Sequence, residues 1–167
     1  MKNVLIILIV FLTVYNVYSQ TADEYYNRGC NKLELEDYKG AIKDLNKAIE
    51  LDHKNAKAYI NRGIVKHELE DYRGAIEDLN KAIKLGVEDA KAYYNRGRSK
   101  FSLKNFKGSI EDFNKAIEFE PNDAQSYFLR GGAKMILGEK NSGCLDLSKA
   151  GELGFEDAYE NIKRFCN

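Results

Sequence analysis

From Tyr25 onward, apolar and polar positions recur with the period of a helix. Tyr25, Arg28, Gly29, Lys32 and Leu35 stand at i, i+3, i+4, i+7 and i+10, which places them on one helical stripe. The polar run Glu36-Asp37-Tyr38-Lys39-Gly40 interrupts this stripe. Ala41, Ile42, Leu45, Ala48 and Ile49 then resume the helical period as far as Leu51. The pattern predicts two helices, A and B, joined by a short turn.

The same pattern returns at a constant interval. YYNRG at 25–29 is followed by YINRG at 59–63 and YYNRG at 93–97, and aligning on the Gly gives units 22–55, 56–89, 90–123 and 124–157 with a truncated fifth start at Ala158. A repeat of about 34 residues signals a solenoid of stacked helical pairs. Thr21, Asn55, Asp89, Asp123 and Asp157 precede the units, and each is a residue type that accepts a hydrogen bond from the free N–H groups of a first helical turn. Thr21 with Glu24 and Asp157 with Glu160 add the reciprocal acid of a capping box. Gly86 and Gly154 follow the B helices of units two and four, where a left-handed C-terminal residue favours Gly. Residues 158–167 have helix A character with no helix B behind them and are expected to form the capping helix that covers the last apolar face.

The segment 1–19 differs in kind. Lys2 is a short basic start, Val4 to Val14 is almost uninterrupted apolar sequence, and Val17-Tyr18-Ser19 places small residues where a signal peptidase reads before Gln20. The expectation is a cleaved secretory signal over 1–19 and an exported mature chain, periplasmic or secreted. An uncleaved anchor is the alternative, although Asn16 interrupts the run before it reaches the roughly 20 residues that span a bilayer. No membrane association is expected of the mature chain.

Composition narrows the function. Lys plus Arg number 26 and Asp plus Glu number 26, with no long block of either sign, so nucleic acid is not an expected partner. Abundant Ala, Leu, Lys and Glu with one Pro and no Trp suit exposed, salt-bridged helices and an all-α fold.

These residues resemble the tetratricopeptide repeat family, helical hairpins of about 34 residues with a large residue at place four, Gly at eight and small residues at twenty and twenty-seven. The matching sets are Tyr25, Gly29, Ala41 and Ala48; Tyr59, Gly63, Ala75 and Ala82; Tyr93, Gly97, Ser109 and Ala116; Tyr127, Gly131, Gly143 and Ala150. The resemblance covers the whole mature chain and implies a right-handed α-solenoid of four hairpins plus the capping helix. It departs where the family's Pro survives only as Pro121, and where Lys140 replaces the inter-helix aromatic of Tyr38, Tyr72 and Phe106. Unit four is therefore expected to be looser. Gly on helix A facing Ala on helix B is expected to let the two backbones interlock.

Tetratricopeptide domains hold peptides on a concave surface of A helices, and the family's groove places are two, five, six, nine, twelve and thirteen. Carried onto this chain, the resemblance implies a peptide-binding set of Tyr26, Asn27, Lys57, Ile60, Asn61, His67, Lys91, Tyr94, Asn95, Arg98, Phe101, Phe128 and Met135. Places repeated in every unit, Tyr at four, Arg at seven, Gly at eight, Lys at eleven and Leu at fourteen, are expected to serve stacking. Places nine, twelve and thirteen vary and are free to carry specificity. Asn27, Asn61 and Asn95 are groove-facing yet recurrent, and either hold a ligand's main chain or bond a neighbouring helix. The family's clamp for terminal carboxylates is incomplete, since Tyr26, Cys30 and Asn95 stand where it needs Lys, Asn and a cation.

In an oxidising compartment Cys residues read as disulfide partners. Cys144 holds the apolar place of Ile42, Ile76 and Ile110, and Cys166 lies on the capping helix that packs against the same B helix. They either form a disulfide or remain buried thiols, and Cys30 is the odd one. No catalytic constellation emerges: His53 and His67 have no second ligand at metal spacing, and the Gly of Asn-Arg-Gly lies inside a helical period rather than in a phosphate loop. No cofactor or metal is expected. The leading expectation is a non-catalytic protein- or peptide-binding scaffold of the cell envelope or exterior, the alternatives being a self-assembling structural subunit and an enzyme accessory or inhibitor.

Overall fold

A computed structural model describes residues 21–86 and 88–166; the expected signal at 1–19 lies outside them. The described residues form α1 (21–34), α2 (Tyr38–Leu51), α3 (Ala56–Glu68), α4 (Tyr72–Lys84), α5 (Ala90–Ser102), α6 (Phe106–Phe119), α7 (Ala124–Ile136), α8 (Lys140–Glu152) and α9 (Asp157–Phe165). Odd helices are the A helices and even ones the B helices of four successive hairpins, and α9 stands last without a partner behind it. Among the described residues α3 touches α5 and α5 touches α7, whereas the B helices make no comparable contact with one another. The A helices therefore form the inner, more closely spaced layer of the stack. Among the described residues no helix is long and apolar enough to cross a membrane.

Local chemistry sets the helix ends. Asn55 accepts from the Ala58 N–H, Asp89 from Lys91, and Asp123 from Gln125 and Ser126, satisfying donors that the first turn leaves free. Each helix A closes on a left-handed residue: Glu36 (φ 58°), Glu70 (63°), Lys104 (60°) and Gly138 (84°). Immediately afterwards Asp37, Asp71 and Asn105 cap the B helices by accepting from the N–H of Gly40, Gly74 and Gly108 at 3.0 to 3.1 Å. A Cβ on Gly40 would stand 2.0 Å from the Asp37 carboxylate, so the cap itself requires glycine three residues on. In unit four Glu139 makes no such bond, and this turn lacks the cap that the other three share. Gly86 and Gly154 take positive φ after their B helices.

The expected cap at Asp157 does not form. Glu156 is already in helical conformation (φ −59°, ψ −40°), so Asp157 and Glu160 lie inside the first turn, where their charge favours the helix dipole without a capping box. Thr21 is likewise already helical.

The hairpins close on small residues. Ala41, Ala48, Ala58, Ala75, Ala82 and Ala92 are fully buried beside Leu45, Leu79 and Phe113. A Cβ on Gly29, Gly63 or Gly97 would meet Leu45 Cγ at 2.9 Å, Leu79 Cγ at 2.9 Å or Phe113 Cε1 at 2.8 Å. The glycine thus makes room for a large B-helix side chain rather than for the alanine first expected, with the Ala75 carbonyl at 3.2 Å as a second limit in unit two. Leu at place fourteen also differs from expectation: Leu35 is 79% exposed and Leu69, Leu103 and Leu137 are 37–42% exposed. Helix A ends there, which carries the side chain off the buried stripe.

A ladder of arginines closes each hairpin with an ion pair and, from unit two on, ties it to the hairpin before through an asparagine. Arg62 donates through Nε and NH2 to Asp78 at 2.8 and 2.6 Å and through NH1 to Asn46 of the preceding B helix at 2.7 Å. Arg96 repeats this with Asp112 and Asn80, and Arg130 with Asp146 and Asn114. Lys66, Lys100 and Lys134 meet the same carboxylates at 2.8 to 2.9 Å. Each Arg also lies 4.8 to 5.4 Å from the ring centre of the Tyr at place four. In unit one, hydrogen bonds from Arg28 and then Lys32 hold the Asp44 carboxyl down to about 2 against its burial. A buried carboxylate with two cationic partners is far less costly than an unpaired one.

The last unit is stapled. Cys144 and Cys166 are joined as a disulfide with Cα atoms 5.8 Å apart, the Tyr159 hydroxyl donates to the Gly151 carbonyl at 2.9 Å, and Ala158 is fully buried.

Candidate functional site

The inner layer presents its side chains in three clusters. Between α1 and α3, Asn61 is buried and its Nδ2 donates to the Tyr26 hydroxyl at 3.3 Å and the Cys30 sulfur at 3.1 Å. Lys91 of α5 donates from Nζ to Asn61 Oδ1 at 3.4 Å. Burial, reinforced by Cys30, pushes the Tyr26 phenol up to about 12, so it stays a neutral hydroxyl. Asn27 and Lys57 lie exposed on the same layer. Ile60, placed in the groove by resemblance, packs into the core with Leu79 and Ala82 at 2% exposure.

Between α3 and α5, His67 is buried. Its Nδ1 lies 2.9 Å from the Ser99 hydroxyl, and that hydroxyl donates to the Asn95 carbonyl at 2.9 Å. Ser99 has one proton and has spent it, so its oxygen accepts from Nδ1–H and the imidazole lone pair resides on Nε2. Burial, and then the positive charge of Arg98, lowers the His67 pKa against a smaller opposing effect of Glu68. Asn95 donates to the Lys91 carbonyl of its own helix at 2.8 Å, and its Oδ1 accepts from Arg98 at 3.3 Å. Arg98 reaches Glu68 at 3.3 Å and stands 5.8 Å from the Tyr94 ring centre. Tyr94 donates to Gln125 Oε1 of α7 at 2.9 Å. The amides of Asn61 and Asn95 therefore bond within the protein, the first across to a neighbouring helix and the second to its own.

The third cluster is apolar. Phe101 meets Phe106 edge-on at 5.2 Å and Phe128 meets Phe155 at 4.6 Å. Phe128 and Met135 line a hollow of about 350 Å³ that faces α9. Among the described residues no three His, Cys, Asp or Glu side chains are placed to hold a metal ion.

The sequence reading missed Ser99, whose partner His67 lies in the preceding unit at a different place and occurs in one unit only. It also missed the carboxylates of Asp44, Asp78, Asp112 and Asp146, although each follows the Arg of place seven at one constant spacing, a signal visible in the chain.

The paired helices, their constant repeat and the inner layer of A helices are the geometry to compare with known proteins. Tetratricopeptide repeat models match residues 90–123 and 56–85, and a TPR repeat model matches residues 32–69. The chain belongs to the tetratricopeptide repeat family. The first of these matches coincides with unit three as read from the spacing. No curated protein sequence matches the chain significantly. Among solved structures, this tetratricopeptide chain is similar to the MamA protein at 26% identity, TM-score 0.78, covering 86% of this chain and 79% of that one. It is also similar to the first TPR of Spaghetti (RPAP3) bound to the HSP90 peptide SRMEEVD, at 26% identity, TM-score 0.70, covering 72% and 95%. YrrB, a TPR protein with an unusual peptide-binding site, shares the fold at 24% identity and TM-score 0.76, covering 89% and 78%. The chain is thus a tetratricopeptide scaffold of the kind that binds proteins or peptides.

Proposed function

We propose that the mature chain is an exported, non-catalytic scaffold that holds another polypeptide along the inner face of α1, α3, α5 and α7. The observation that carries this reading is the makeup of that face: rings of Tyr94, Phe101 and Phe128, cations of Lys57, Lys91 and Arg98, and amides between them, on an inner layer whose spacing the ion-pair ladder fixes. The Spaghetti domain, similar at 26% identity, is bound to a peptide, which supports the same use of this surface. Export is supported by the basic, apolar and small-residue pattern of 1–19 and by the Cys144–Cys166 disulfide, a bond that persists in oxidising compartments. A clamp for a terminal carboxylate is not supported, because Tyr26 and Cys30 fill its first places and engage Asn61 themselves.

The test is capture of a polypeptide by crosslinking in the native compartment, comparing the natural chain with the triple variant Lys57→Glu, Lys91→Glu and Arg98→Glu. Asn61 is left intact because it ties α3 to α1. Capture is expected to fall at least about tenfold, with thermal unfolding checking that the variant stays folded after losing the partly exposed Arg98–Glu68 pair, which is worth at most about 1 kcal/mol. Undiminished capture by the folded triple variant overturns the proposed surface.

A further inference from the structure

We propose that the C-terminal end of the inner face carries a socket for one bulky apolar side chain of an acidic peptide segment, its wall held in place by the Cys144–Cys166 disulfide. The proposal rests on the peptide-holding reading above and names the chemistry of the partner.

The socket exists because unit four departs from the others at the variable places. Where α3 carries Ile64, His67 and Glu68, and α5 carries Arg98, Phe101 and Ser102, α7 carries Gly132, Met135 and Ile136. A Cβ on Gly132 would meet nothing within 4 Å, so a side chain's worth of space is left unfilled. Phe128 closes one side and buried Leu147 the floor. The far wall comes from α9, through Asn161 and Phe165, and these stand at the places that Tyr and Gly occupy in complete units. The hollow of about 350 Å³ is at the small end of the ~300–1,000 Å³ range of ligand sites, which suits one large side chain. Ile136 and Phe165 remain 56% and 42% exposed at its mouth, apolar area that a partner would cover.

The disulfide gives α9 its place. Cys166 directly follows Phe165, and its bond to Cys144 pins the end of the wall to α8. Phe155 against Phe128 and Tyr159 on the Gly151 carbonyl hold the other end. A wall ordered before binding spares the ligand that entropic cost.

The lining carries no charge, so an ionised group entering it would lose hydration without compensation. Met135 can adjust to different apolar shapes. Asn161 donates one N–H to the Asp157 carbonyl at 2.9 Å, which leaves its Oδ1 and second N–H for a peptide main chain. On α5, the A helix in contact with α7, the groove places hold Lys91 and Arg98 and no acid, with Arg98 also reaching Glu68 of α3. Charge complementarity therefore selects acidic residues next to the apolar anchor.

The experiment is an NMR titration of the disulfide-intact mature chain, following the Met135 and Ile136 methyls and the Phe165 ring, with the blocked tripeptide acetyl-Phe-Glu-Glu-amide. Saturable shifts at these three residues are expected. Binding is expected to weaken about tenfold or more with acetyl-Ala-Glu-Glu-amide and in Gly132→Leu, which fills the socket, and about fivefold in the paired Cys144→Ser, Cys166→Ser variant. Gly132→Leu introduces its side chain into open space, so its melting curve serves as the folding control. Equal binding of the Phe and Ala peptides, or full binding by folded Gly132→Leu, overturns the socket. Equal binding of acetyl-Phe-Lys-Lys-amide overturns its acidic preference, tighter binding of octanoate assigns the hollow to an acyl chain instead, and undiminished binding by the Ser pair removes the disulfide from the account. Failure here alongside crosslinked polypeptide on α1 to α5 leaves the scaffold reading standing, so the two fail separately.

Discussion

At the scale of residues, the repeated glycine and the one buried histidine are the most informative. Gly63 lies where any Cβ would press on Leu79 and the Ala75 carbonyl, so Gly63→Leu is expected to cost about 1–3 kcal/mol by overpacking. Urea unfolding measures it, and an unchanged midpoint contradicts the packing described. His67 gives a pH signature. Its folded pKa lies below its unfolded value, so the unfolded chain binds the proton first as pH falls. Stability is then complete above about 6.5 and declines from there down to the lowered folded value. Melting temperature is expected to drop between pH 7 and pH 5.5 in the natural chain and to drop less in His67→Gln; equal drops contradict the assignment. That the glycine and arginine serve packing was legible because four copies in one chain separate what every unit needs from what one unit needs, but their partners, Leu or Phe for the glycine and Asp for the arginine, were not. The Ser99 bridge was not legible, since it joins different places of neighbouring units through a single hydroxyl.

At the scale of elements, the turn between A and B helices stores strain in three units. Glu36, Glu70 and Lys104 adopt positive φ, a conformation that crowds any Cβ. Glu70→Gly is expected to raise stability by up to about 1 kcal/mol, because relief of the left-handed residue outweighs the freedom glycine adds to the unfolded chain. Gly138→Glu is expected to lower it by a similar amount. Thermal unfolding of the two variants checks both signs, and destabilisation by Glu70→Gly contradicts the account. The helices and their stops were readable from apolar period and polar turns. The left-handed residues were not, because Glu and Lys give no hint of the angle they hold; Gly138 in unit four was the clue. Asp157 was misplaced by one position because Glu156 already holds helical angles and takes the cap position.

At the scale of the molecule, the ladder of Arg, Asp and preceding Asn makes the stack one continuous unit, with α9 and the disulfide as its terminus. Ser148 occupies the place where Asn46, Asn80 and Asn114 each receive the next unit's Arg. The ladder thus ends inside the chain, which disfavours a head-to-tail assembly built by continuing it. The inner face was legible only in outline. Resemblance located it, but Ile60, Asn61 and Asn95 turned out to spend their side chains on the core, on α1 and on α5, since a side chain at a groove place still bonds to whatever neighbour lies within reach. What remains outward on that face includes Asn27, Lys57, Lys91, Arg98 and the aromatic end. The most direct measurement is site-specific photocrosslinking in the native compartment, with the photoreactive residue placed at Lys57 or Phe128 on the inner layer and at Glu77 or Glu111 on the outer. Polypeptide adducts from the inner positions and none above background from the outer ones are the predicted result. Adducts confined to the outer positions, or equal at all four, would contradict it.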